Sequence, residues 1–392
     1  MGKIIISKKI ANSKKFLALV IAFWLISCSI FFSFSADQGL AGESEKIRVT
    51  FINPGFSDPN NPTGGFWVSV ASFMKAAADS LNVDLEIIYS ERDHIKMKNL
   101  AKEVVSRPNP PQYLIVVNEK LAAETMVMNA DSAGVKVIVI LNGFEGDQKV
   151  KMGVPREKYK NYIGSLIPDN HYAGYQIAKQ LIDHALKSGV TAPDGKLHLL
   201  GFAGDFVTQA SVDRNAGLQK AVSEYPNVDL KQIVVCHWSK DEAKNRMPLF
   251  LNRYPDIGAV WGANDPIALG AIEGAVKTGK QPGKNIFFGG LNWDKEGLEK
   301  VKSGEMVTSL GGHFMTGGWA LVLLHDYHNG RDFTDEGLEL KYKIFSAINR
   351  QNIDNFMTKF GDRDWSKIDF TKFSKITNKD LIKYNFGIES LF

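Results

Sequence analysis

The sequence predicts an α/β protein with two parallel sheets, each covered by helices on both faces. Three observations carry that reading. From Ile47 onward, short β-branched or aromatic runs alternate with longer amphipathic stretches, the pattern of successive βαβ units. The chain has 392 residues, and roughly 100–200 residues per domain calls for two cores. About ten strand-like runs would make one parallel sheet unusually wide, and right-handed crossovers divide them more comfortably between two. A composition of 44% hydrophobic and 23% charged residues supports packed cores rather than a disordered or polytopic membrane chain.

Residues 1–41 read as an export signal: lysines at 3, 8, 9, 14 and 15, an apolar run from Phe16 to Phe34, and small residues ending in Gly39-Leu40-Ala41. Cleavage near Ala41 is expected. Two alternatives stay open. Leu25-Ile26-Ser27-Cys28 resembles a lipobox, and the apolar run exceeds the ~7–15 residues usual for a signal, so that uncleaved it would serve as an anchor. The five lysines and one aspartate of this leader account for the whole net charge of +4. The balanced body therefore lacks the concentrated basic face that a nucleic-acid partner requires. Once the leader is removed, Cys236 has no partner for an internal disulfide, and its place after Ile233-Val234-Val235 reads as a buried small hydrophobe.

The strand runs of the first half are Ile47–Asn53, Leu85–Ser90, Tyr113–Asn118, Val135–Asn142 and Tyr162–Leu166. Those of the second are Leu197–Gly201, Gln232–Trp238, Gly258–Asn264, Asn285–Asn292 and Met306–Gly311. Helices fit the gaps. Phe66, Val70, Phe73, Met74, Ala77 and Leu81 recur at helical spacing, and Asp265-Pro266 reads as an N-cap followed by proline at the first helical position. Arg214 is placed near a helix N-terminus, where a cation opposes the dipole, so a ligand explains it better than local structure. Residues 349–392 lack strand-like alternation and are expected to pack onto one lobe as a C-terminal extension. Gly55–Gly65, rich in Pro, Asn and Gly, is expected to form a lip.

Asn53, Asn118, Asn142, Trp238, Asn264 and Asn292 all fall at the carboxyl ends of strands, where open α/β sheets bind ligands. A single such Asn is commonly a turn former, but several at successive strand ends point to a site. Amide side chains offer both donors and acceptors, as sugar hydroxyls do, and Phe66, Trp67 and Trp238 supply aromatic faces for the C–H side of a sugar ring. Enzyme signatures are missing: no GxGxxG, Walker loop, GxSxG or HExxH occurs. The eight histidines show no metal-ligand spacing, and His325 and His328 read as the exposed end of a helix. No cofactor and no metal are expected.

These residues resemble the type I periplasmic solute-binding proteins of sugar ABC transporters, over about Lys46 to Ile348. The resemblance is carried by Gly262-Ala263-Asn264-Asp265-Pro266-Ile267-Ala268-Leu269-Gly270-Ala271, Phe287-Phe288-Gly289-Gly290-Leu291-Asn292, Arg214-Asn215-Ala216-Gly217-Leu218, and Pro168-Asp169-Asn170 before Ala173-Gly174. Phe66-Trp67-Val68-Ser69 is also similar to the receptor for the sugar-derived signal autoinducer-2. The resemblance implies two Rossmann-like lobes with parallel sheets joined by a three-strand hinge, with the ligand in the cleft between them. It places an N-terminal lobe at 46–166 and 313–340, a C-terminal lobe at 167–312 and 341–350, and crossovers near Ser165–Pro168, Gly311–His313 and Leu340–Lys343.

It also implies ligand contacts from Phe66, Trp67 and Asn142 on one lobe and Arg214, Trp238, Asn264 and Asn292 on the other. Asn142 and Asn292 stand where relatives carry Asp, and Gly311 where they carry Gln or Arg. His313 either replaces that lost contact or packs in the hinge. The implied partners are a small sugar or polyol and either a membrane permease, in transport, or a sensor kinase or chemoreceptor, in signalling. The protein is expected to be a monomer, periplasmic after cleavage.

Overall fold

The computed structural model describes residues 46–61, 63–342 and 344–391. The leader, with its lysines, Cys28 and cleavage site, lies outside the described residues, as does Lys343 at the third crossover. Among the described residues no helix is long and apolar enough to cross a membrane.

The first sheet has six strands in the order β11-β5-β4-β3-β1-β2: β1 Ile47–Asn53, β2 Val83–Tyr89, β3 Tyr113–Val117, β4 Lys136–Ile140, β5 Tyr162–Leu166 and, late in the chain, β11 Glu339–Leu340. The second also has six, in the order β12-β10-β9-β8-β6-β7: β6 Leu197–Ala203, β7 Val228–Val235, β8 Ile257–Gly262, β9 Phe287–Leu291, β10 Thr308–Gly311 and β12 Ser346–Ile348. All pairings are parallel except β10 with β12. Central strands such as Tyr-Leu-Ile-Val-Val of β3 are buried throughout, as a sheet covered on both faces requires.

The chain passes between the sheets three times. It leaves β5 through Ile167–Asp169 into α5 (Asn170–Lys187), whose first residues Asp169 caps by accepting from the Tyr172 amide at 2.9 Å. It leaves β10 at Gly312 for the short turn His313–Met315 and α10 (Thr316–His328), which lies against α1 (Phe66–Ser80) of the first lobe. It returns from β11 to β12 through residues 341–345. The remaining helices are α2 His94–Val105, α3 Ala123–Ser132, α4 Gly146–Met152, α6 Gln209–Val222, α7 Lys240–Arg253, α8 Asp265–Val276, α9 Lys295–Ser303 and α11 Ile353–Phe360.

Three expectations need correction. The edge strand β7 begins at Val228, four residues before the expected start. Its Asp229, Lys231 and Gln232, half-buried on an edge strand with a register shift beside them, hid the apolar pattern. The N-cap of α8 is Asn264, not Asp265: Asn264 has extended backbone and its Oδ1 accepts from the Ile267 amide at 3.0 Å. Asp265 instead turns inward, fully buried, to take the Ser309 hydroxyl and the Asp294 amide.

The C-terminal extension packs on both lobes, not one. Its helix α11 sits on the second, where Lys302 pairs with Asp354 at 2.9 Å and Phe356 meets Trp293 at 5.0 Å between ring centroids. The chain then crosses to the first lobe. There Trp365 and Phe370 pack on Phe73 at 5.6 and 5.1 Å, and Phe386 stacks on Trp319 at 5.0 Å and 6°. Asp326 at the end of α10 binds the Ser374 hydroxyl, the Lys375 amide and the Tyr384 hydroxyl. His325 is accordingly half-buried beside Asp326, while His328 is exposed and contacts the Tyr113 hydroxyl at 3.2 Å.

Candidate functional site

A cavity lies between the lobes, and Phe66, Trp67, Asn142, Arg214, Trp238, Asn264, Asn292 and His313 all line it. The structure thus brings together all eight residues for which the resemblance suggested a role in the cleft, but not every strand-end asparagine. Asn53 and Asn118 do not join them. Asn53 holds the platform from behind, donating to the Trp67 carbonyl at 3.2 Å and accepting from the Gly55 amide at 2.8 Å. Asn118 ties Gly143 and Gln148 to the start of α3 through the Ala123 amide. Both follow the ordinary turn-forming use of asparagine.

On the first lobe, Phe66 and Trp67 open α1 in a T-shaped pair, with centroids 5.0 Å apart and rings at 73°. Trp67 lies so close to Gly55 that a Cβ there would sit 2.1 Å from its own Cβ. Trp238 has the equivalent seat on the second lobe, where a Cβ on Gly204 would come within 2.2 Å of the indole. Its Nε1 donates to Asp205 Oδ2 at 3.0 Å, which fixes the ring plane. Burial alone would raise the Asp205 carboxyl, but the Thr208 and Val207 amides, the Thr208 hydroxyl and the indole together hold it below its ordinary value.

Arg214 lies in the second turn of α6, because the helix begins at Gln209. The expected opposition to the first-turn dipole therefore does not apply. What marks the residue is burial: it is 4% exposed, with Nε donating to Asn170 Oδ1 and Nη1 to the Ala263 carbonyl, each at 3.0 Å. Its guanidinium lies 5.8 Å from the Trp238 ring centre and 6.0 Å from that of Phe345. Burial pulls its pKa down to about 9, against the opposing influence of Asp213, so it stays protonated at neutral pH.

His313 packs in the hinge and also reaches the cavity wall. It stacks on Phe66 at 4.4 Å and 18° and leans on Phe345 at 5.0 Å. Its Nδ1 is buried without a hydrogen-bond partner among the described residues. Burial first, and the Arg214 charge second, hold the imidazole well below its ordinary pKa, so it is neutral.

The lobes touch across this cavity. Asn142 Oδ1 of the first accepts from the Ala210 amide of the second at 3.0 Å. Thr63 also reaches the cavity wall, and Gly64 beside it lies against Pro266 of the second lobe, so the Gly55–Gly65 insert does overhang the cleft. Leu141, Trp238 and Asn292 leave their strands at φ of 66°, 61° and 145°. Such conformations cost a side-chain-bearing residue roughly 1–3 kcal/mol each and tend to collect at functional sites.

Sequence reasoning missed Arg92 and Glu119, which line the wall and pair through Nη2 and Oε1 at 2.7 Å, and also Thr208 and Ala210. Nothing in the local sequence around Arg92 marks it, although Asn170 stood in a quoted motif. Cys236 is fully buried, and burial pushes its thiol up to about 12, so it is no nucleophile.

A sequence model described as periplasmic binding protein domain matches residues 55–332. The chain is similar to a xylitol-binding protein of Mycolicibacterium smegmatis, 25% identical over 193 residues, which are 49% of this chain and about half (51%) of that relative's length. It is also similar to the ribose import binding protein of Salmonella typhimurium, 27% identical over 64% of this chain and 75% of the relative. Among solved structures, a periplasmic sugar-binding protein from Pseudomonas fluorescens superposes with a TM-score of 0.78 at 34% identity, covering 88% of this chain and 99% of that one. A D-allose-bound solute-binding protein from Actinobacillus succinogenes, at 19% identity and a TM-score of 0.68 over 79% of this chain and 100% of its own, shares the fold.

Proposed function

The chain belongs to the periplasmic binding protein family, and we propose that it captures a sugar or sugar-like ligand in the cleft between its lobes and delivers it to an ABC transporter. The observation that carries this reading is the lining of the cavity: aromatic faces from both lobes, with four neutral amides, the Arg214 guanidinium and the Arg92–Glu119 ion pair between them. Sugar rings present apolar C–H faces and a rim of hydroxyls, and this wall offers a partner for each. In this reading the lobes are 46–166 with 313–340 and 167–312 with 341–350, and the hinge is the three passages between them. The ligand holds the lobes closed through contacts that exist only when both walls meet.

The relatives named above are binding proteins rather than enzymes, and the ribose relative is an import protein, which favours transport over signalling. A thermal-shift screen of pentoses, hexoses, polyols and nucleosides tests the assignment. A ligand present at 100 times its dissociation constant stabilises by about 2.7 kcal/mol. Stabilisation by a sugar or polyol is the expected result, and stabilisation by nucleosides alone would overturn it.

A further inference from the structure

We propose that the preferred ligand is an anion, a sugar acid whose carboxylate binds Arg214. This rests on the sugar-capture reading and narrows it. Arg214 is a buried cation in the cavity wall, and among the described residues it has no ion-pair partner. Two of its nitrogens are spent on the neutral acceptors Asn170 and Ala263, while Nη2 has no acceptor among the described residues.

The nearby charges do not fill the gap. Glu119 is paired with Arg92, Asp205 is engaged by Thr208 and Trp238, and Asp213 accepts from Gln209 Nε2 at 2.7 Å without lining the cavity. The rest of the wall is neutral: Asn142, Asn170, Asn264, Asn292 and an uncharged His313. Two half-buried arginines of this chain do have carboxylates, Arg92 on Glu119 and Arg156 on Asp332.

A charge taken out of water is stable only when it is paired and hydrogen-bonded, and here the missing acceptor has to come from what fills the cavity. A carboxylate matches the geometry of a guanidinium edge. The helix N-termini at Phe66, Asn170, Ala210 and Asn264 face the same space and add positive potential of the same sign.

Calorimetry with three matched pairs, D-galactose and D-galacturonate, D-glucose and D-glucuronate, D-ribose and D-ribonate, tests this at pH 7.5. At least one acid should bind tenfold or more tighter than its parent sugar. Parent sugars that bind as tightly as their acids, or more tightly, overturn the charge assignment and leave sugar capture standing. Failure of all six to bind at millimolar concentration overturns the charge assignment, and sugar capture is then decided by the thermal-shift screen. In Arg214→Gln, with folding checked by circular dichroism, the acid should lose at least tenfold and the parent sugar less than threefold. Arg214→Lys should recover part of the acid's affinity. Equal losses for acid and parent in both variants make Arg214 a structural residue and overturn the proposal.

Discussion

Replacing Asn142 by Ala removes the hydrogen bond that joins the lobes without any ligand. The donor is the Ala210 amide, second residue of α6 and therefore one of the N–H groups that the helix cannot satisfy internally. Closure buries it: Asn142 is 4% and Ala210 8% exposed. In the open state this N–H is free to bind water, so only the closed state of the variant leaves a donor unpaired. An unsatisfied buried donor costs about 1–3 kcal/mol, and 1.4 kcal/mol is a factor of ten, so the dissociation constant should rise roughly 5- to 150-fold.

Because the bond acts on closure rather than on either lobe's core, the unfolding midpoint of the ligand-free protein should fall little. Titration calorimetry with the ligand found by the screen, beside thermal unfolding of the free variant, reads both quantities. A dissociation constant within twofold of the parent protein would refute the reasoning. So would a stability loss of the free protein as large as the loss in binding.

Trp238→Ala removes a ring face from the cavity and the indole donor to Asp205, and should weaken binding by about tenfold or more in calorimetry while the circular dichroism spectrum is unchanged. Phe370→Ala empties a fully buried site against Phe73 and Trp319; denaturant unfolding should show a loss of about 3–5 kcal/mol. Asp265→Asn tests a buried carboxyl held above its ordinary range, by burial first and by the Asp294 charge second. Its stabilising contribution is full below the unfolded value near pH 4 and is lost as pH rises toward the folded one. The Asn variant should therefore gain on the parent as pH rises, read as unfolding midpoints across pH 4–8.

The fold was legible because every central strand is a short apolar run between amphipathic helices. The runs ending at Asn142, Trp238, Asn264 and Asn292 pointed straight at the cavity. Strand β7 was misplaced because an edge strand faces water on one side and its Asp229 and Lys231 look like loop. Asn264 and Asp265 could not be told apart as caps, since either residue type serves, and only the buried Ser309 hydroxyl decides that Asp265 points inward. Arg92 and Glu119 meet from different strand ends 27 positions apart, a proximity set by the order of β2 and β3 in the sheet. The aromatic clasp of residues 353–386 looked like an appendage because its partners Phe73, Trp293 and Trp319 are scattered through the chain.

That clasp sets a mechanical limit on the molecule. Phe356 is seated on one lobe and Trp365 on the other, and only a few residues, Gly361–Asp364, run free of helix between Phe360 and Trp365. Four residues reach about 13–14 Å when fully extended. Arg363 within them is itself fastened to the Trp293 carbonyl, which shortens the slack further. The mouth can widen only as far as this leash pays out before aromatic rings must leave their sockets, so gape is rationed on the side where the leash runs. A wide gape exacts an enthalpic toll that the three hinge passages alone would not impose.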